Sequence, residues 1–268
     1  MKITKLLQVI GLLLSVSWSI IFILYGFILT LSDEPMSTTL RLPTKFTLKN
    51  YYHVIFVDGF PKYLANSLIV SFLTSTIVIF LTIWGTYTIS RFPSRATSFL
   101  YYSLLGFRMI PWITFVVVIF LILLSMNLLD TYLGLILVYT FWNAPYAVLL
   151  LKPFFDDFPV ELEEAALLDG ASRSRVLVSI VLPLCAPAIG VVFMFVFISS
   201  YIEFLYAYIL TRKDAVTLPV MLSWYSGAHR VYWKLLLSAT MLSVLPILPI
   251  FYFLQKYIAR VLTFGTTR

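Results

Sequence analysis

Charge is what this 268-residue chain has least of: only 12% of its residues are Asp, Glu, Lys or Arg, against 61% hydrophobic. A soluble domain carries about twice that share of charge, so the composition is that of a polytopic membrane protein. There is one cysteine, Cys185, which excludes an internal disulfide and a cysteine metal cluster and reads as a small apolar packing residue. The two histidines, His53 and His229, stand in separate polar stretches without the acid or thiol spacing of a metal site, and read as solvated loop residues. None of the 10 glycines opens a phosphate-cradling loop before a lysine, and no Gly-x-Ser-x-Gly or His-Glu-x-x-His occurs. No catalytic residue and no metal ligand can be named. The net charge of +7 comes from basic residues spread over loop ends, not clustered among aromatics, so anionic lipid headgroups are simpler partners than nucleic acid.

What is present is a series of long apolar runs. Residues 6–31, 63–90, 99–126, 131–151, 184–210 and 233–257 are each long enough to cross a hydrocarbon core of about 30 Å. The first exceeds a signal-peptide core and lacks a cleavage site. Backbone groups in lipid must be satisfied internally, and these runs are too uniformly apolar for barrel strands, so the expectation is an all-α bundle of six transmembrane helices in a single domain, 1–268. A short interfacial helix is expected near 50–56, and a tight turn at Asn127–Asp130. Six spans put both termini on one side. Lys and Arg favour that side as the cytoplasmic one by only ten to eight, Arg108 lying within a span. No internal repeat of the secondary-transporter kind is found.

Polar loops at 32–62, 152–183 and 211–232 interrupt the runs, and the most informative is 152–183, centred on PVELEEAALLDGASRSRVLVSIVLPLCAP from Pro159 to Pro187. Pro159 suits a first helical position, and Glu161, Glu163 and Glu164 suit the positive end of the helix dipole. Glu161 and Glu163 read equally well as merely solvated. Leu162, Ala165, Ala166 and Asp169 share a face, Gly170 ends the helix, and Ser172 caps a second one with its own stripe of Val176, Leu177, Ile180 and Val181. Pro183 and Pro187 are expected to stop or kink that second helix. The reading is a stiff bent elbow able to pass a push from a soluble partner into the bundle.

These residues carry a resemblance. Glu164-Ala165-Ala166, Gly170 and Ile180-x-Leu182-Pro183 resemble the cytoplasmic "EAA" coupling-helix loop of ABC importer permeases, and the fuller Glu164–Ser172 resembles the carbohydrate-importer branch, the maltose and sugar permeases. Thr217-Leu218-Pro219-Val220 and the tail Gln255-Lys256…Arg260-x-Leu262-Thr263-x-Gly265 are similar to elements of the same family; the first span and 32–62 resemble it in layout only. The resemblance implies that Glu164, Ala165, Ala166, Asp169, Gly170 and Ala171 couple to an ATPase: alanines for close approach, Glu164 for a charge-assisted contact, Gly170 for the bend. It implies a second homologous permease chain, two ATP-binding subunits that hold the ATP and Mg so that this chain needs no cofactor, and an extracytoplasmic solute-binding protein facing 32–62 and 211–232. It also implies a place in the cell membrane with both termini cytoplasmic, and alternating access for a sugar. The alternatives are a permease for a non-sugar solute, or an ATP-independent channel or secondary transporter.

Inside the membrane an ionisable side chain normally faces a cavity or a partner. Arg108 can snorkel from near the start of its span, whereas Glu203 lies deeper and can pair with Arg108 or line the pathway. Ser199–Phe204 resembles a Trp-Asn-Glu-Phe element of the family, with Tyr201 and Ile202 in place of the Trp and Asn. Sugars are held by aromatic faces and amide or hydroxyl groups, which makes Trp112, Trp142, Asn143, Tyr206 and Glu203 the candidate pathway residues, with Asn66 and Asn127 nearby.

Overall fold

Among the described residues the apolar runs are mainly helical, with breaks in the third and fifth. The structure, a computed structural model, describes residues 2–33, 42–227, 231–252 and 255; His229, Arg41, the tail motif beyond Gln255 and the end of the sixth run lie outside them. Among the described residues the only strand-like pairing is two isolated bridges, Ser32 with Phe46 and Ser226 with Val231. Five helices are long and apolar enough to cross a membrane, or six if one sharply bent pair is a single span.

The described residues fall in two compact units. The first takes in Met1–Leu64 and Met221–Leu245. Here α1 (Lys2–Thr30) runs beside α12 (Trp233–Val244), where Gly26 leaves room for Met241. From Val9 to Leu24 most of the large apolar side chains of α1 are exposed, as expected of a lipid-facing helix. The short helix α2 (Lys49–Tyr52) continues into a π-helical turn, His53–Val57, where an interfacial helix was expected. It is tied to the end of α1: the Asn50 amide donates to the Thr30 and Ser32 carbonyls at 2.8 and 3.0 Å, and Lys234 Nζ reaches the Ser32 carbonyl at 2.9 Å. His53 is not simply a solvated loop residue. Its Nε2 lies 3.4 Å from Asp58 Oδ1, because the π turn folds the chain back onto Asp58. The Tyr225 hydroxyl donates to the other Asp58 oxygen at 2.6 Å; burial first, and that carboxylate second, raise the tyrosine's pKa.

The second unit, Ala65–Val220 with Pro246–Arg268, holds the remaining helices and the main core. Its helices are α3 (Phe60–Arg91, which begins in the first unit), α4 (Arg95–Met109), α5 (Val116–Ser125), α6 (Tyr132–Asp156), α7 (Val160–Leu168), α8 (Arg173–Val176), α9 (Leu182–Tyr201) and α10 (Leu205–Leu210). The helix α11 (Leu218–Ser223) begins here. The core joins Val78, Ile83 and Tyr87 of α3 to Leu151 and Phe155 of α6 and to Val176, Val181 and Val192 along α8–α9.

Five helix boundaries depart from the sequence expectation. The run 99–126 is not one rod: α4 starts at Arg95 under a Ser94–Thr97 capping box, and the stretch Trp112–Ser125 leaves it at 94°. Ile110 and Pro111 are extended (ψ 128° and 127°), the conformation that a proline imposes on the residue before it. The fourth helix outlasts 151 and carries Lys152 and Pro153 within it, because Phe155 is fully buried in the core. At the elbow, Pro159 is the N-cap and not the first helical residue. Pro183 does not stop the second elbow helix: a π turn at Leu177–Val181 absorbs the missing N–H and the ring, and α8 passes into α9. That helix then breaks at Ile202–Phe204, inside the run expected to be continuous to 210.

Candidate functional site

The residues named from sequence gather in two places. The first is the elbow. Pro159 turns the chain into α7, and Gly170 turns it out again with φ +85°, a backbone conformation that needs glycine although the space around it is open. Ser172 Oγ accepts from the Arg175 N–H at 3.4 Å and starts α8. Glu164, Ala165, Asp169 and Gly170 are exposed, and Ala166 and Ala171 are half-buried against the core. Leu168, at the same exposed side, is 89% accessible.

The elbow's anchor is Glu163, which the sequence leaves open between a role at the helix start and simple solvation. Glu163 is only 1% exposed. Its Oε1 accepts from Arg91 Nε at 2.7 Å and its Oε2 from the Tyr87 hydroxyl at 2.8 Å, both on α3. Arg91 also donates to the Phe158 carbonyl at 3.3 Å and to Ser90 Oγ at 3.0 Å, and Ser90 Oγ donates to Asp156 at 2.6 Å. A buried carboxylate persists only when paired and hydrogen-bonded, so α7 is fixed in rotation with Glu163 inward and Glu164 outward.

The second place lies where two helices break. Four of the five candidate pathway residues, Trp112, Trp142, Tyr206 and Glu203, meet there. The Trp112 ring stacks on Tyr206 with centroids 4.0 Å apart and lies 4.2 Å from Trp142. The Tyr206 hydroxyl donates to the Trp112 carbonyl at 2.8 Å. Asn143, buried, donates to the Tyr139 carbonyl at 2.9 Å. Glu203 sits at the α9–α10 break and caps α10: Oε1 accepts from the Tyr206 N–H at 3.0 Å, Oε2 from the Ala207 N–H at 3.2 Å and from the Tyr139 hydroxyl at 2.8 Å. Its oxygens are met by these three donors, and Arg108 is not among them. In the last turn of α4, the Arg108 guanidinium lies 4.5 Å over Trp142 and 4.9 Å over Tyr146, and buried Nη1 has no hydrogen-bond partner. Irregular backbone within an apolar bundle is tolerated where it lines a cavity or is otherwise satisfied, as the Glu203 cap does here. Asn66 belongs to a different structure: it donates to the Asp214 and Val216 carbonyls at 3.0 and 2.8 Å and accepts from the Tyr132 hydroxyl at 2.7 Å.

A further clasp went unnamed in the sequence. Asp130, with φ +57° in the α5–α6 turn, accepts the successive backbone N–H groups of Arg212, Lys213, Asp214 and Ala215 at 2.9–3.1 Å. Burial alone would raise its carboxyl, but these four amides outweigh it and hold the pKa below the usual carboxylate range. A lone Asp after Leu-Leu carries no local sign of partners 80 residues on.

Apolar helices of membrane length, two of them broken beside an aromatic column, and a polar elbow describe a polytopic helical membrane protein. Residues 81–263 match the family described as "Binding-protein-dependent transport system inner membrane component". The trehalose/maltose transport system permease protein MalG of Thermococcus litoralis is 30% identical over 98% of this chain and 97% of its own. The trehalose transport system permease protein SugB of Mycobacterium tuberculosis is 32% identical over 76% of both chains. Among solved structures, a bacterial ABC transporter involved in the import of the acidic polysaccharide alginate superposes with TM-score 0.77 at 20% identity, over 93% of this chain and 96% of that one. The chain belongs to the family of binding-protein-dependent transport system inner membrane components, with the ABC importer permease fold.

Proposed function

We propose that the chain is one permease subunit of an ATP-driven importer for a mono-, di- or oligosaccharide. The observation that carries the coupling half of this reading is the exposed face of α7. Glu164, Ala165 and Leu168 stand outward on a helix clamped from behind by Glu163. An 89% exposed leucine beside small alanines and a carboxylate suits burial in a cleft of a soluble partner. In this reading the elbow faces the cytoplasm, as do both termini, in the cell membrane. Glu164, Ala165, Ala166, Asp169, Gly170 and Ala171 meet an ATPase subunit. ATP and Mg are bound by two such subunits, and the chain itself holds no cofactor. A second, homologous permease and an external solute-binding protein complete the assembly, and nucleotide-driven closure of the ATPase pair switches the bundle between inward and outward access.

The sugar assignment draws on the names of the relatives, which transport trehalose and maltose, and on the Tyr206–Trp112–Trp142 column. Aromatic faces suit the C–H surfaces of a pyranose, and Glu203 lies beside them, with Asn143 next to Trp142 in the chain.

The test is purification of the tagged chain from its native host, identification of the attached subunits, and uptake of labelled solutes by the reconstituted complex. Attached ATPase and ATP-dependent sugar uptake are expected. Uptake of amino acids, peptides or phosphate instead of sugar would overturn the substrate half, and ATP-independent uptake by this chain alone would overturn the whole.

A further inference from the structure

The elbow is joined to α6 and α8 by the chain itself, so any push on α7 reaches α6 and α9 through covalent continuity. Helix α3 has no such link: Arg91 lies 72 residues from Glu163 in sequence. Its contacts with the elbow region are of two kinds. Tyr87 and Ile83 share the apolar core with Phe155, Val176 and Val181. Apolar packing is non-directional; it resists separation better than sliding. The second kind is the ion pair. Both partners are almost fully buried, their side chains 7% and 1% exposed, and Tyr87 and the Phe158 carbonyl hold them from further sides. Sliding α7 past α3 would leave two buried charges apart in a poorly polarisable setting, the costliest way to break such a pair. The pair therefore sets the register between elbow and helix.

Helix α3 is built to carry that register a long way. It is continuous from Phe60 to Arg91, with its only proline, Pro61, in the first turn. From Asn66 to Arg91 it spans about 37 Å at 1.5 Å per residue. At the far end Asn66 holds the carbonyls of Asp214 and Val216, and Ser67 Oγ accepts from the Leu218 N–H at 2.8 Å. The segment 211–218 thus hangs from α3 on one side and from the Asp130 clasp on the other.

We propose that Glu163 and Arg91 are positioning residues that lock α3 to the coupling elbow, and that α3 carries elbow movement to the segment 211–218 at the opposite end of the bundle. This rests on the reading of α7 as the ATPase-docking helix. When Glu163 is altered, Ala166 and Leu167 still pack α7 against the core and keep Glu164 and Leu168 on its exposed side, so docking and transmission are separable.

The experiment uses the intact importer, purified through this chain and reconstituted in liposomes, with Glu163→Gln, Arg91→Lys and the milder Tyr87→Phe, which keeps the ion pair. ATPase subunits are expected to co-purify as in the wild type and to hydrolyse ATP. Sugar moved per ATP is expected to fall about tenfold in Glu163→Gln, within the usual span of coupling energies, and less in the other two. A thiol probe at Lys213→Cys, on a Cys185→Ala background, is expected to change its labelling rate with ATP in the otherwise unaltered importer and to lose that response in Glu163→Gln. A merely structural pair would lower yield, hydrolysis and uptake together while leaving sugar per ATP unchanged. An unchanged ratio, or an ATP-responsive probe in Glu163→Gln, overturns the proposal; should Glu163→Gln fail to fold, Arg91→Lys, which alters the pair itself, decides by the same two readings. If the wild-type chain brings down no ATPase, the docking reading fails first and takes this one with it.

Discussion

Tyr139 on α6 donates its hydroxyl to Glu203 Oε2 at 2.8 Å, and so closes the break between α9 and α10 from the neighbouring helix. Glu203 collects three donors, two of them backbone N–H groups. Tyr139→Phe removes one donor and leaves the cap; Glu203→Ala leaves all three without an acceptor. The first is expected to cost about 1 kcal/mol and the second about 2–3 kcal/mol or more, read from thermal or denaturant unfolding of the detergent-purified chain. Equal losses would show that Glu203 is not the common acceptor.

The Asp130 clasp has a sign that can be worked out. Its folded pKa is depressed, so the stabilisation is complete above the ordinary Asp value near ~4 and is lost as pH falls through the lower folded value. Amide exchange at Arg212–Ala215, corrected for intrinsic pH dependence, is expected to speed up selectively at the acid end of that window. In Asp130→Asn the four amides are expected to lose about tenfold protection at neutral pH and to show no further acid step. Unchanged protection in that variant would refute the clasp.

At the elbow, two neighbouring changes are expected to separate stability from docking. Gly170→Ala places a side chain at φ +85° and is expected to cost about 1–2 kcal/mol of conformational strain, since no neighbour would clash. Glu164→Lys, on the exposed side, is expected to change stability by less than about 0.5 kcal/mol yet to reduce co-purified ATPase. Normal co-purification and transport by Glu164→Lys would remove Glu164 from the coupling set.

The aromatic column gives a kinetic test. Trp112→Leu removes two ring contacts worth about 0.5–1.5 kcal/mol each, a loss the fold should survive. If the column meets the sugar, the concentration for half-maximal uptake rises about tenfold or more while ATPase attachment is unaffected, about 1.4 kcal/mol of lost binding. A fall in stability with unchanged uptake affinity would assign the column to packing alone.

The elbow was legible because its signals are local: a proline before the acidic turn, a glycine with nothing around it, a serine three residues before the amide it caps. Trp112, Trp142, Tyr206 and Glu203 were picked out by type, and the structure brings these four side by side. The features that were not legible depend on distant partners or on competition between local rules. Glu163 and Glu164 are adjacent and chemically identical, and only Arg91, 72 residues earlier, decides which of them is buried. Pro111 was in plain view, but it sits in a run so apolar that length argued for one span; the extended preference of Ile110 before proline won. Pro183 looked like a stop and is absorbed by a π turn that no sequence period announces.

The α5–α6 turn has little slack. Asn127 and Asp130 both have positive φ, and a Cβ on Gly134 would run into the Leu128 carbonyl. An epitope tag or fluorophore spliced between 127 and 134 would therefore pry the Asp130 carboxylate from its four amides, and the reporter would describe a damaged molecule.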